Sequence, residues 1–234
     1  MKPQALLKMV SYILAWRPDE FGLIPDESGF VKLKDLHQAL SETEGFRGVR
    51  RRELEVALEV FGRETFEYLP EAGRVRARTR HYGAPAYTED LPQRLWLPVK
   101  PRAWIRVSEE GWRNPQPALM SPERDLAERL ARRRGALLVE VDPLRAAREG
   151  AIFLRFLEKL YLSAWLPPAA LKGPRVDEKF RARYAPKSQE PEPEPEPIIP
   201  FRPDTEVPWR KLTRGKKKRL PWKEARKKKK EKDW

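Results

Sequence analysis

Leu6, Leu7, Val10, Ile13 and Leu14 recur at helical spacing behind Pro3, and the run stops at Arg17-Pro18, so the chain opens on an amphipathic helix. Asp26-Glu27-Ser28-Gly29 reads as a turn, and Phe30-Val31 as a short extended piece after it. Residues 34–40 carry Leu36 and Leu40 at i, i+4, which predicts a second helix. A third is expected over residues 51–61, with Leu54, Ala57, Leu58 and Phe61 on one face. Residues 66–69, the Glu71-Ala72-Gly73 turn and residues 75–79 then form a β-hairpin. Three helices followed by a two-stranded wing describe a winged-helix lobe over residues 1–86.

The next stretch, residues 87–172, is strand-rich. Strands are expected at 94–99, 103–107, 136–141, 151–157 and 160–166. One helix is well punctuated between them: Ser121 can cap it, Pro122 suits the first helical position, and Arg132, Arg133 and Arg134 fill a last turn closed by Gly135. The fold class is therefore α+β. From about Gly173 the apolar periodicity stops, and residues 190–197 alternate Glu and Pro, which predicts an extended polyproline II spacer. Residues 173–234 are expected to be a Pro/Glu-rich linker and a basic tail, disordered until bound.

Charge sharpens that division. The 234-residue chain carries 49 Lys+Arg against 35 Asp+Glu, a net charge of +14. Residues 210–234 hold fourteen basic and three acidic side chains, so eleven of the fourteen net charges sit in the tail and three on everything before it. The absence of Cys, with only His37 and His81 present, excludes disulfides, iron–sulfur clusters, thiolate zinc sites and Cys nucleophiles. No apolar run approaches the roughly 20 residues that cross a bilayer, so no membrane partner and a cytoplasmic location are expected. A single Asn (Asn114) beside 24 Pro fits a thermophile or a GC-rich genome. Glycine-rich phosphate loops and metal-ligand spacings are absent from the sequence, and no metal is expected.

The basic residues are the candidate chemistry. Arg74, Arg76, Arg78 and Arg80 alternate along the predicted hairpin strand, so their side chains share a face at steps of roughly 6.7 Å. That suits a row of phosphates, and equally a solvated edge guarded by charge. Arg50 and Arg51, with Arg47 and Arg52, precede the third helix, where cations oppose the helix dipole unless something else recruits them. His81 follows the row as a candidate phosphate or ribose contact. In the tail, Trp209 with Arg210 and Lys211, and Trp222 near Lys216, Lys217, Lys218 and Arg219, combine stacking surfaces with dense charge, a nucleic-acid-binding composition. Trp16, Trp96, Trp104, Trp112 and Trp165 are expected in the core or at a lobe interface.

These residues together resemble the RNA 2′-phosphotransferase (KptA) family over roughly residues 5–170. The stretch 14–40 (LAWRPDEFGLIPDESGFVKLKDLHQAL) is similar to that family's first-helix block, residues 66–81 to its hairpin, and Gly135–Asp142, Phe153–Ser163 and Pro167-Pro168 to its closing strands. The resemblance implies a winged-helix lobe joined to an ADP-ribosyltransferase-like, β-rich lobe that holds NAD, on which an RNA 2′-phosphate is transferred. It also shows where the chain departs. The family's Arg-His pair falls on Ala15-Trp16, its His-Gly-Thr signature on Leu97-Pro98-Val99, and its Gly-His-Ser on Arg80-His81-Tyr82. The Arg-x-x-Val-His-Leu-Ser block becomes 115–121, and Asn-Gly-Val-Trp-Leu-Thr becomes 158–163. Arg76 and His81 alone sit where family functional residues would, with Arg17 or Arg113 near enough in sequence to compensate one loss.

Three readings follow. The first is a non-catalytic protein that binds RNA (a tRNA, ribosomal RNA or ribonucleoprotein) on a degenerate phosphotransferase body, with no cofactor and no catalytic residue. The second is an active NAD-dependent RNA 2′-phosphotransferase with rearranged cations. The third is a DNA-binding winged-helix protein whose third helix enters a major groove.

Overall fold

Pro3 occupies the first turn of α1 (Pro3–Ser11), where its missing N–H costs nothing, and Leu6 and Val10 point inward. The helix widens into a π turn at Tyr12–Trp16, in which the Arg17 N–H reaches back to the Tyr12 carbonyl at 3.0 Å. Ile13, Leu14 and Ala15 are buried there and Trp16 is turned out. A 3₁₀ turn, Pro18–Phe21, follows. The computed structural model describes residues 2–185, all within the compact unit Met1–Lys187. The Glu-Pro repeat and the candidates Trp209, Arg210, Lys211, Lys216, Lys217, Lys218, Arg219 and Trp222 lie outside the described residues.

β1 (Val31–Lys32), α2 (Leu33–Ser41), α3 (Arg51–Val56, continued by a π turn at Ala57–Phe61), β2 (Phe66–Leu69) and β3 (Arg74–Ala77) complete the first half. The strands form an antiparallel sheet of order β1-β3-β2, with Val31 opposite Val75 and Tyr68 opposite Val75 on its other side. One apolar cluster, from Leu6 to Ala77, lies between this sheet and the three helices.

The second half is built on two antiparallel sheets. Its elements are β4 (Ala86–Tyr87), β5 (Leu95–Val99), α4 (Pro101–Glu110), β6 (Trp112–Met120), α5 (Arg124–Arg134), β7 (Leu137–Val141), α6 (Pro143–Arg148), β8 (Leu154–Phe156), β9 (Leu160–Leu166), β10 (Leu171–Lys172) and α7 (Glu178–Tyr184). One sheet has the order β10-β7-β5, the other β4-β8-β9-β6. The described residues thus have an α+β fold with purely antiparallel sheets. A second cluster fills the space between these sheets, and a third, with Leu126, Leu130, Phe156 and Leu160, also takes in Ile24 and Tyr82.

Residues 103–107, expected as a strand, lie in α4. Pro101 opens that helix and Trp104 and Val107 are buried three residues apart, a helical spacing that a short apolar run does not distinguish from a strand. β6 was masked by Pro115 and Pro117, which sit where its pairing with β9 shifts register between Arg113 and Ala118. α5 begins at Arg124 rather than at Pro122, because Ser121 is fully buried and bridged to Trp96 while its hydroxyl accepts the Glu123 N–H. Nor does the chain leave the body at Gly173: the Trp104 indole N–H donates to the Pro174 carbonyl at 2.9 Å, and Val176 and Phe180 pack on the second cluster.

Candidate RNA-binding site

The two halves meet around Asp19. This carboxylate is fully buried: Oδ2 accepts the backbone N–H groups of Glu158 and Lys159 at 3.2 Å each, and Oδ1 accepts Arg17 Nε at 3.3 Å. It thereby holds the tip of the β8–β9 hairpin, where Leu157 adopts φ 53°. Arg133 makes a second fastening. Its guanidinium, 8% exposed, grips Glu42 through two bonds of 2.8 and 2.7 Å and donates to the Phe21 carbonyl.

Beside this seam, β3 ends and the chain runs back along α1. The His81 N–H donates to the Ala15 carbonyl at 2.9 Å, and the Tyr82 hydroxyl donates to the Leu14 carbonyl at 2.9 Å. Burial pushes the Tyr82 phenol up to about 12. The result brings His81 flat onto Trp16, with ring centroids 3.7 Å apart and planes 13° from parallel. Trp16 is 51% exposed, so it is neither a core nor an interface aromatic. The expected aromatics otherwise lie inward: Trp104 is buried and Trp96, Trp112 and Trp165 are half-buried. The lone sequence signal for the Trp16 ledge was that residue's place two positions beyond Leu14, off the apolar face.

The arginine row divides. Val75 and Ala77 face the core, which turns Arg74 and Arg76 to the other side, but β3 stops at Ala77, so Arg78 and Arg80 lie beyond the strand. Arg74 pairs with Asp26 at 3.1 Å. Arg76 is held by Glu67 at 2.9 and 2.6 Å, donates to the Ser28 carbonyl, and lies 4.5 Å over the Phe30 ring. Arg78 donates to the Arg63 carbonyl and is exposed, while the exposed Arg80 guanidinium rests against Gly29, a residue at φ +85°. Neither Arg78 nor Arg80 pairs with a carboxylate among the described residues. Arg50 caps α3, its N–H accepted by Glu53, and Arg51 pairs with Glu55 at 2.9 Å; both face solvent, apart from the Trp16 ledge in sequence and in contact.

Arg17 offers no substitute cation. It lies within 3.4 Å of Asp19, Glu20 and Glu158. Where the resemblance sets the dinucleotide signature, Leu97 and Val99 are 1% exposed on β5, packed into the second cluster, and Pro98 is buried too. These three offer no hydroxyl, imidazole or glycine N–H, so the donor set that NAD phosphates need is missing from that strand. The hydroxyls of Ser121 and Ser163 are both turned inward, that of Ser163 donating to the Trp165 carbonyl.

No family model matches the chain. It is similar to a probable RNA 2′-phosphotransferase of Streptomyces coelicolor, with 28% identity over 185 residues that span 74% of this chain and 98% of the relative. A probable RNA 2′-phosphotransferase of Acetivibrio thermocellus is 27% identical over 177 residues, 69% of this chain and 92% of that protein. Nearly the whole of each relative is thus matched, while each leaves at least a quarter of this chain without a counterpart.

Proposed function

We propose, from membership of the RNA 2′-phosphotransferase family, that this protein binds RNA and does not carry out the transfer. The observation that supports this most directly is the state of the cations. Phosphoryl and ADP-ribosyl transfer need guanidinium groups free to meet charge that moves between anions. Here Arg17 is enclosed by three carboxylates, Arg76 is held by Glu67, and position 15 is a buried Ala. The first three helices and the β1-β3-β2 sheet would serve as a winged-helix lobe that presents Arg78, Arg80 and His81 to phosphate. The basic residues 210–234 would add sequence-independent affinity.

The names of the two relatives favour a second reading, an active RNA 2′-phosphotransferase, for which the resemblance implies NAD. Incubation with NAD and a 2′-phosphorylated oligoribonucleotide separates the two. We expect RNA binding with the 2′-phosphate intact, and NAD-dependent loss of that phosphate at enzyme-like turnover would overturn the proposal. The DNA reading is disfavoured by α3 and its π turn: the exposed Arg51 and Arg52 are offset by Glu53, Glu55 and Glu59, Arg51 is paired with Glu55, and Val56, Val60 and Phe61 are exposed, a poor surface for a phosphate-lined groove.

A further inference from the structure

We propose that Trp16 and His81 form a stacking platform for an unpaired base of bound RNA, an inference that rests on the RNA-binding reading above. An indole with one face covered by an imidazole at 3.7 Å and still 51% exposed has its opposite face and outer edge open to solvent. The exposure is not a loose rotamer on a mobile loop. Trp16 closes a π turn whose next N–H is bonded to Tyr12, and the residue after it is tied to Asp19, Glu20 and Glu158. His81 is held from the other side by the Ala15 carbonyl, and the neighbouring Tyr82 by the Leu14 carbonyl and an edge-on contact with Phe156. Two flat rings already parallel and fixed have little ordering entropy left to lose when a third is added.

The surroundings identify the third ring as a nucleobase. Arg80 comes immediately before His81 and Arg78 three residues before it, both exposed and without carboxylate partners among the described residues. A nucleotide strand supplies both a flat π face for the indole and phosphates for the cations that precede His81 in the chain. Duplex RNA keeps its bases stacked on one another, so the platform selects single-stranded segments, loops or ends.

The experiment uses the full-length protein and two fluorescein-labelled single-stranded RNAs, an oligoadenylate and the same length carrying abasic residues, which keep the phosphates and remove the rings. Anisotropy titrations should show the wild type preferring the intact RNA by about tenfold, the scale of one base–aromatic stack. Trp16→Ala should bind both RNAs equally, at the wild type's affinity for the abasic strand, and Trp16→Phe should keep most of the preference. Equal binding of the two RNAs by the wild type overturns the platform and leaves RNA binding standing. A preference that survives in Trp16→Ala also overturns it, since stacking would then lie elsewhere. If the wild type binds neither RNA at low salt, the RNA-binding reading falls and the platform with it.

Discussion

Replacing Asp19 tests how the two halves are joined. The side chain is fully buried and accepts two backbone N–H groups and Arg17 Nε. Each hydrogen bond to a charged group contributes about 1.5–3 kcal/mol, and a buried N–H left without a partner costs about 1–3 kcal/mol. The contributions overlap, because all three donors converge on one carboxylate, so Asp19→Ala should cost about 3–4 kcal/mol rather than their sum. In a body of this size about 1 kcal/mol moves the Tm by about 2–4 °C, which sets the expected drop at about 6–16 °C. Asp19→Asn keeps the shape but must turn an NH₂ toward either Arg17 or the two backbone donors, so it should fall between the wild type and Asp19→Ala. Glu158→Gln removes an exposed partner of Arg17 and should cost under about 1 kcal/mol. Circular dichroism melts rank the variants. Hydrogen exchange adds a local readout, since the Glu158 and Lys159 amides should lose protection as Leu157 is released from its left-handed conformation. An Asp19→Ala protein within 0.5 kcal/mol of wild type, or a Glu158→Gln cost as large as that of Asp19→Ala, would refute the argument.

Three other outcomes are expected. Tyr82 has its folded pKa raised from 10 to about 12 by burial, so the native state holds that proton more tightly than the unfolded chain. The associated stability is present below pH 10 and lost between pH 10 and 12, which the 295 nm titration of the protein against Tyr82→Phe will show as a late-ionising tyrosine. Arg76→Ala should lower stability through Glu67, Ser28 and Phe30 with little change in RNA affinity, whereas Arg78→Ala with Arg80→Ala should weaken RNA binding at unchanged Tm; the reverse pattern in paired melts and titrations would show that β3 itself is the phosphate contact. Deleting residues 211–234 should reduce affinity for RNA of any sequence and flatten its dependence on salt, and an unchanged slope would show that the tail is not a nucleic-acid element.

The helices and hairpin of the first half could be read from periodicity because each has one buried face: Leu6, Val10 and Ile13, then Leu36 and Leu40, then Leu54 and Leu58. The second half was harder for reasons that can be named. β6 contains two prolines and a register shift, features that argue against a strand until its partner β9 is known. α6 is short, α7 has no buried residue of its own, and the Trp104–Val107 spacing of α4 does not separate a helix from a strand. The site shows the same division. That Ala15, Trp16 and Leu97-Pro98-Val99 stand where the resemblance sets the family's signatures could be read from residue identity alone. That Arg17 and Arg76 are occupied was not, because their partners Glu158 and Glu67 are set by tertiary pairing across 141 residues in one case and across the hairpin in the other.

The residues at these blocks also support one another, which makes single changes toward the family's pattern informative. Ala15 is 5% exposed, its carbonyl accepts the His81 N–H, and the Leu14 carbonyl before it accepts the Tyr82 hydroxyl. An arginine at position 15 would have to leave that packed space. It would either displace the chain at His81 and Tyr82 or bury a guanidinium with no carboxylate assigned to it, since Asp19 is already occupied by three donors. Overpacking alone costs about 1–3 kcal/mol, and an unpaired buried charge adds to it. Ala15→Arg should therefore lower stability by at least about 2 kcal/mol and should not bring NAD-dependent removal of a 2′-phosphate from RNA. Restoring that chemistry would require donors at 97–99 as well, on a strand whose side chains fill the second cluster. Urea denaturation measures the first effect and the 2′-phosphorylated oligoribonucleotide assay the second. An Ala15→Arg protein of wild-type stability that turns over this RNA would mean that the family's site survives here with one residue missing, and the binding-only reading would have to be given up.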